Sequence, residues 1–205
     1  MTEQLLAPFP WFGGKRKVAA DVWARLGSPK QYIEPFCGSA AILLAAPSVA
    51  SLEVVGDMNG FIANFWRAVK YQPGKVAEWA DYPVSHIDQG ARHVWLHRRR
   101  DVLAEGLLDA EWPGDAQAAG WWLWGQCSWI GSGWAEWDRA SEPGAIGKIP
   151  HVSNAGMGVQ ASGKIPHVSS AGMGHLLTSG GRTAWVWLHR LADRLPYIAV
   201  DHEVV

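Results

Sequence analysis

The sequence predicts an α/β fold with a parallel sheet, and two observations lead to this prediction. Two short apolar runs, residues 31–36 and 52–56, each end in a tight or polar turn. Each turn is followed by small or apolar residues at helical spacing, over 39–46 and 61–71. Strand, turn and helix repeated in this order form a βαβα unit, and such units build parallel sheets.

The other elements are predicted in chain order from the same signals. A helix over 15–26 follows Gly13 and Gly14, and Asn59 precedes the helix over 61–71 as a capping residue. Residues 116–130 are apolar all round, so a helix there is expected to be buried on most sides. Further helices are predicted over 76–82, 91–108 and 183–195, and a third strand over 197–200.

Residues 131–181 lack a sustained periodicity and are rich in Gly, Ser and Pro. They contain a near-duplicate, because residues 147–162 and 163–178 both begin GKIPHVS-x-AGMG. Two copies of this length are too short for a solenoid. The interpretation is a duplicated loop or hairpin within an insertion.

Composition excludes several classes of protein. The chain has 205 residues, of which 48% are hydrophobic, and its two cysteines cannot form a disulfide scaffold. No apolar run reaches the roughly 18 residues of a membrane span. We therefore expect a soluble, reduced, cytoplasmic protein. The net charge of −1 does not indicate a polyanionic partner, and the 14 tryptophans are unusually many.

Three clusters suit a ligand of the adenosine type. Gly13 and Gly14 let the backbone approach a ligand closely, while Trp11 offers a flat face and Lys15 a cation. Taken alone, this cluster fits an ordinary helix start at least as well.

The second and third clusters follow the two predicted strands. Gly38 lies in a turn from strand to helix, where doubly wound folds hold nucleotides, although the G-x-G-x-x-G pattern is absent. Asp57 ends the next strand, where an acid accepts hydrogen bonds from ribose or, alternatively, caps a helix. The three clusters together, in this order, favour an adenosine-type ligand.

PFPWFGGK, YIEPFCGSA and GDMN-x5-FW-x-AVK resemble the N-terminal motifs of the Dam-type DNA adenine methyltransferases, the D12 class, in the order of their α group. The resemblance covers roughly residues 7–71 and implies a Rossmann-like methyltransferase core that uses S-adenosylmethionine. One departure is Ala40, where the family usually has a second glycine, and its methyl group is expected to intrude slightly. The cofactor-binding residues that the resemblance implies are Trp11, Gly13, Gly14, Lys15, Glu34, Phe36, Cys37, Gly38 and Asp57.

By the same resemblance, Trp11 and Lys15 contact the methionine moiety, the turn Phe36-Cys37-Gly38 lies beneath the cofactor, and Asp57 holds its ribose. The implied division is a cofactor-binding part over 1–74, a mixed helical and loop-rich target-recognition insertion over 75–181, and a return to the core over 182–205. The insertion more loosely resembles phage-type members, and the class suggests a role in restriction and modification.

Double-stranded DNA is the expected partner, although the overall charge is neutral. Residues 143–192 contain four cations and no acidic residue, which suits phosphate contacts. The loop histidines are not accompanied by cysteines or acids, so no metal site is expected. The run 98–100 also fits a solvated helix face. The candidate DNA-binding residues are Arg98, Arg99, Lys148, His151, Asn154, Lys164, His167 and Arg182.

The family's catalytic D-P-P-Y tetrapeptide does not occur among the 205 residues, so the catalytic residues are unknown. Asp193 and Tyr197 are one residue too far apart, and Asp193 lies in a helical pattern. The expectation is a truncated methyltransferase, or a split one whose second polypeptide carries the catalytic half. The alternatives are a non-catalytic DNA- or cofactor-binding relative and, more remotely, a Trp-rich carbohydrate-binding module.

Overall fold

The computed structural model describes residues 5–9, 11, 13–129, 134–137, 184–195 and 198–201. Most of the predicted Gly-rich stretch 131–181, including both copies of the near-duplicate, lies outside these residues. No helix in the described ranges combines the length and apolarity that crossing a bilayer requires.

Three parallel strands form one sheet in the order β1-β2-β3. Pairing brings Ile33 beside Val54, and Val54 beside Ala199. The predicted α/β class and all three strands are confirmed, and the second strand has the predicted bounds. The strands are β1 Gln31–Glu34, β2 Leu52–Gly56 and β3 Ile198–Asp201.

The two faces of the sheet differ in burial. Tyr32 and Glu34 of β1 are buried, whereas Ile33 between them is 62% exposed. Leu52, on the same face as Ile33, is 45% exposed. Parallel sheets are normally covered on both faces, so this apolar face is unusual. In the part of the chain that the structure describes, no strand pairs with the outer edge of β1.

Seven α-helices are described, and each overlaps a predicted one, although α5 begins at His86, five residues earlier than predicted. The predicted helix over 15–26 is divided, because a 3₁₀ turn over Lys15–Lys17 precedes the first α-helix. The helices are α1 Ala19–Leu26, α2 Ala41–Leu44, α3 Gly60–Tyr71, α4 Pro73–Ala80, α5 His86–Leu107, α6 Ala116–Ser128 and α7 Ala184–Arg194.

Helix α3 is the centre of the core. Every residue from Gly60 to Val69 is buried, so the helix is surrounded by other elements. The predicted cap is confirmed, since the Asn59 side chain accepts a hydrogen bond from the Phe61 amide at 3.0 Å.

Polar contacts fix the connection between α5 and α6 against α3. The side-chain Nδ2 of Asn64 donates to the Asp115 carbonyl at 3.1 Å, and the backbone amide of Asp115 donates back to Asn64 Oδ1 at 2.7 Å. Gln72 Nε2 donates to the Gly114 carbonyl at 2.9 Å. Asn64 is buried, so this reciprocal pairing satisfies groups that would otherwise lose their hydrogen bonds to water.

Helix α7 is joined to the sheet by an ion pair. Arg194 makes two hydrogen bonds to Glu53 of β2, at 2.5 and 2.8 Å, and Glu53 is fully buried. A buried carboxylate needs such a partner, because an unpaired charge there would be costly. Asp193 lies in α7 and is exposed, which agrees with the prediction that it is helical.

Most of the tryptophans pack in the helical part, and several do so against glycine. A Cβ atom added to Gly106 would lie 2.7 Å from the Trp112 ring. Added to Gly120 or Gly125 it would overlap Trp79 or Trp134. The predicted burial of the 116–130 helix is confirmed, with Trp122 and Trp124 fully enclosed.

Candidate functional site

The candidate site lies where the carboxyl ends of β1 and β2 meet. The backbone amide of Cys37, just after β1, donates to the carbonyl of Gly56 at the end of β2, at 2.9 Å. This bond holds the two strand-end turns side by side. In open parallel sheets, ligands bind in the crevice outside this edge.

Asp57 links the two turns through its carboxylate. Its Oδ2 accepts from the Gly38 amide at 2.9 Å, and its Oδ1 accepts from the Asn59 amide at 2.9 Å. A carboxylate has about four acceptor positions, so two remain for other donors. The side chain is partly exposed and can therefore accept hydrogen bonds from a ligand.

Gly38 is enclosed between two tryptophans and has a left-handed backbone. Its φ is +51°, and an added Cβ would lie 2.8 Å from Cδ1 of Trp11. On its other side, Trp66 Nε1 donates to the Gly38 carbonyl at 2.9 Å. Both the φ value and the close ring favour glycine at this position.

Ala40 also adopts a left-handed conformation, with φ +52°, directly before α2. This is the position where glycine was expected from the family. The predicted consequence was a small steric intrusion of the methyl group, but the structure shows a backbone penalty as well. A left-handed non-glycine residue costs roughly 1–2 kcal/mol. The turn is nevertheless closed, because the Ala40 amide donates to the Cys37 carbonyl at 2.8 Å.

Lys15 ties the Gly13-Gly14 segment to the end of β1. Its Nζ lies 2.6 Å from Glu34 Oε1 and 2.5 Å from the Phe36 carbonyl oxygen. Glu34 is only 5% exposed, so the ammonium group compensates a nearly buried carboxylate. The structure thus brings together two of the predicted cofactor-binding residues of opposite charge.

The second oxygen of Glu34 accepts a hydrogen bond from the Tyr32 hydroxyl at 2.8 Å. Burial, followed by the negative charge of Glu34, raises the pKa of Tyr32 above its usual value. The hydroxyl therefore remains protonated and continues to donate to Glu34.

Cys37 lines the turn but is unsuited to nucleophilic chemistry. Burial, and then the negative charge of Asp57, raises the pKa of the thiol above its usual value. The thiolate is the reactive form, and these surroundings disfavour it. Cys37 therefore contributes to the shape of the site and does not supply a nucleophile.

Two large apolar side chains stand exposed at the mouth of the site. Phe36 is 62% exposed and Met58 is 67% exposed, each next to a residue of the strand-end turns. Phe36 was predicted from the motif, whereas Met58 was not singled out. The signal that could have found Met58 is its position directly after Asp57, at the same strand end.

The predicted DNA-binding arginines differ in their surroundings. Arg99 Nε lies 3.1 Å from Asp115 Oδ2, and its guanidinium is 5.6 Å from the Trp95 ring centroid. Arg98 is exposed. Neither observation tests DNA binding, so the DNA-binding role of the two arginines stays a prediction. Lys148, His151, Asn154, Lys164, His167 and Arg182 lie outside the described residues.

The fold and site define an α/β protein whose parallel strands β1 and β2 end in adjoining turns, at the sheet edge where open α/β folds bind ligands. Residues 11–93 match the model of a family described as D12 class N6 adenine-specific DNA methyltransferase. This match confirms the resemblance to the D12 class that the motifs indicated. The matched residues include all nine predicted cofactor-binding residues. No curated protein matches the chain.

Proposed function

We propose that the strand-end site binds S-adenosylmethionine and that the chain forms the cofactor-binding part of a DNA adenine methyltransferase. The observation that carries the proposal is Asp57, whose carboxylate joins the turns at Gly38 and Asn59 and keeps acceptor positions open. An acid at this strand end suits the two hydroxyls of a ribose.

The methionine end of the cofactor is assigned to the segment with Trp11, Gly13 and Gly14 and to the Lys15–Glu34 pair. The amino-acid group of S-adenosylmethionine carries an ammonium and a carboxylate. Lys15 is partly exposed and offers a cation to the carboxylate, while the nearly buried Glu34 holds the Lys15 ammonium in position. The exposed backbone at Gly13 and Gly14 leaves room for a ligand to approach.

The adenosine end is assigned to the turn Phe36-Cys37-Gly38 and to Asp57. The exposed apolar groups of Phe36 and Met58 suit contact with a purine ring. When bound, the cofactor supplies an electrophilic methyl group. The residues of this chain orient it, and positioning of this kind accounts for much of the rate in a group transfer.

The catalytic D-P-P-Y is proposed to lie outside these 205 residues, either in a longer form of the chain or in a second polypeptide. The tetrapeptide does not occur in the sequence. Within the described ranges, the outer edge of β1 has no partner strand, and Ile33 and Leu52 leave one sheet face apolar and exposed. An added strand and helix would pair that edge and cover that face.

Double-stranded DNA is the proposed substrate, and residues 75–181 are proposed as the target-recognition insertion between core parts 1–74 and 182–205. The acid-free stretch 143–192 supports this assignment, because phosphate contacts dominate DNA affinity.

Calorimetric titration with S-adenosylmethionine tests the cofactor proposal. We expect wild-type chain to bind, and Asp57→Asn to bind at least tenfold more weakly because a charged acceptor is lost. Asp21→Asn is the matched control, since Asp21 is exposed on α1. Absence of heat at millimolar cofactor, from a chain that melts cooperatively, would contradict the proposal.

Transfer of a tritiated methyl group to unmethylated duplex DNA tests the catalytic proposal. The chain alone should give background counts while it binds cofactor. Adding in trans the D-P-P-Y-bearing portion of a D12 class enzyme should raise the counts. Robust transfer by the chain alone would contradict the need for a partner.

A non-catalytic cofactor- or DNA-binding relative is the second candidate, because the sequence lacks D-P-P-Y. Cofactor binding without any transfer, even with the added catalytic portion, would favour it. The carbohydrate-binding alternative needs several exposed tryptophan rings. All fourteen tryptophans lie in described residues, and of these Trp185 alone is exposed, at 52%.

A further inference from the structure

A short cationic segment lies next to the candidate cofactor site and takes no part in it. Arg16 and Lys17 follow Lys15 in the 3₁₀ turn, and no residue of this turn is buried. Lys15 is held by Glu34 and by the Phe36 carbonyl, so the turn is fixed at the carboxyl end of β1. Arg16 and Lys17 are exposed.

Among the described residues, neither Arg16 nor Lys17 forms an ion pair. Lys15 is paired with Glu34, so the turn presents two positive charges, those of Arg16 and Lys17, that form no ion pair with a described acid. A local excess of this kind attracts a polyanion, even though the net charge of the chain is −1.

We infer that Arg16 and Lys17 contact the phosphates of the DNA strand whose adenine faces the cofactor site. The inference rests on the proposed function and adds a second DNA-contacting surface, separate from the Gly-rich insertion. A methyl acceptor must come close to the cofactor, so its flanking phosphates must pass near the mouth of the site. Contacts of this type position the DNA and read no sequence.

The turn is suited to such contacts because it is anchored. The Gly14 amide donates to the Trp11 carbonyl at 3.0 Å, and the Val18 amide donates to the Lys15 carbonyl at 3.1 Å. These bonds fix the backbone on both sides of Arg16 and Lys17. Less conformational freedom is then lost when the two side chains bind phosphate.

The same part of the chain offers a matched control. Arg25 and Lys30 are also exposed, and Lys30 directly precedes β1. They lie near the amino ends of the strands, at the opposite sheet edge from the site. Arg25→Ala/Lys30→Ala therefore removes the same charge as Arg16→Ala/Lys17→Ala, but far from the proposed DNA path.

The test measures binding of a labelled, unmethylated 30-base-pair DNA duplex of mixed sequence at several salt concentrations. Each phosphate contact contributes about 0.9 to the slope of log K against log salt, so Arg16→Ala/Lys17→Ala should reduce the slope by about 2. Arg25→Ala/Lys30→Ala should leave the slope near the wild-type value. Affinity for S-adenosylmethionine should stay within about twofold in both variants.

Equal slopes for the two double variants would overturn the inference, as would loss of cofactor affinity with an unchanged DNA slope. The cofactor titration of the wild-type chain reports separately on the proposed function. Absence of cofactor binding in that titration would contradict the proposed function. Normal cofactor binding with equal DNA slopes in the two double variants would contradict only the role of Arg16 and Lys17.

Discussion

The strand-end site and the tryptophan-rich helices both depend on glycine, but for different reasons. At the site, Gly38 provides a left-handed backbone and a free amide for Asp57. In α6, Gly120 and Gly125 have ordinary helical conformations; Gly125 leaves space for the Trp134 ring, and Gly120 lets the backbone of α4 at Val76 and Trp79 come close. The first region is built from backbone hydrogen bonds, and the second from close packing of large rings.

The difference also accounts for the tryptophan excess. A helix with glycine on one face can take the wide face of an indole close to its backbone, which buries a large apolar area. Trp134 packs in this way and donates from Nε1 to the Trp122 carbonyl at 3.0 Å. Arg92 is enclosed by the rings of Tyr82, Trp121 and Trp124, with its guanidinium 4.2–5.1 Å from their centroids. Tryptophan here is chiefly a packing residue.

The largest effect is expected in the packing region. Gly125→Ala places a methyl group inside the Trp134 ring, so the ring must move and lose its contacts. The free energy of unfolding should fall by about 3 kcal/mol, the upper end for overpacking. Urea unfolding measures it.

Gly74→Ala is the control for that comparison, because its added Cβ would meet nothing closer than His189 at 3.4 Å. It lies in α4 and should be neutral or stabilising by up to about 1 kcal/mol, since alanine favours helix. Equal losses of unfolding free energy in the two variants would show that the close contact between Gly125 and Trp134 does not cause the destabilisation.

A smaller stability effect, but a larger functional one, is expected at the site. Gly38→Ala meets Trp11 and requires a left-handed alanine. The free energy of unfolding should fall by about 1–2 kcal/mol. Affinity for S-adenosylmethionine, measured by calorimetry, should fall at least tenfold, whereas Gly74→Ala should leave it unchanged. Normal affinity in Gly38→Ala would separate this turn from the cofactor.

A pH effect on stability in the mildly acidic range is expected from His93 in the packing region. Burial lowers the pKa of His93, whose Nδ1 accepts from the Ala135 amide at 3.3 Å. Glu136 opposes the shift, and the ring of His97 lies 4.5 Å away. Below about pH 6.5, the usual pKa of histidine, the unfolded chain therefore binds a proton at this residue that the folded chain does not bind.

This contribution to stability is complete above about pH 6.5 and declines as the pH falls towards the lowered pKa, by up to about 1.4 kcal/mol per pH unit. Urea midpoints at pH 7.5 and 5.5 should differ less in His93→Gln than in wild type. His86→Gln, at an exposed residue of α5, should retain the wild-type difference. An unchanged difference in His93→Gln would refute the assignment.

The smallest effect is expected for Ala40→Gly. Relief of the left-handed strain favours the variant, while loss of a fully buried methyl group and the added freedom of the unfolded chain oppose it. The net change in the free energy of unfolding should lie within about 1 kcal/mol of zero. A loss above 2 kcal/mol, measured by urea unfolding, would show that the methyl contacts outweigh the strain.

The sequence predicted best those features that depend on local signals. Strand β2 ends where Asp57 begins the polar turn, and Asn59 caps α3 as expected. Capping and alternation are decided within a few residues, so they can be read from one segment. The nine cofactor-site residues came from motifs of the same local kind, although their binding is untested.

The features that were missed depend on distant parts of the chain. The fit of Trp134 beside Gly125, and the pairing of Asn64 with Asp115, follow from how helices pack. The left-handed Ala40 contradicts local preference and is held by its turn. The break at Val18, between the 3₁₀ turn and α1, has no sequence signal that we can identify.

Chemical-shift mapping of chain labelled with ¹⁵N-glycine tests the central claim most directly, because glycines mark both regions. Addition of S-adenosylmethionine is predicted to shift the amide signals of Gly13, Gly14 and Gly38 and to leave those of Gly120 and Gly125 in place. Shifts confined to Gly120 and Gly125, or none at saturating cofactor, would contradict a cofactor site at the strand ends.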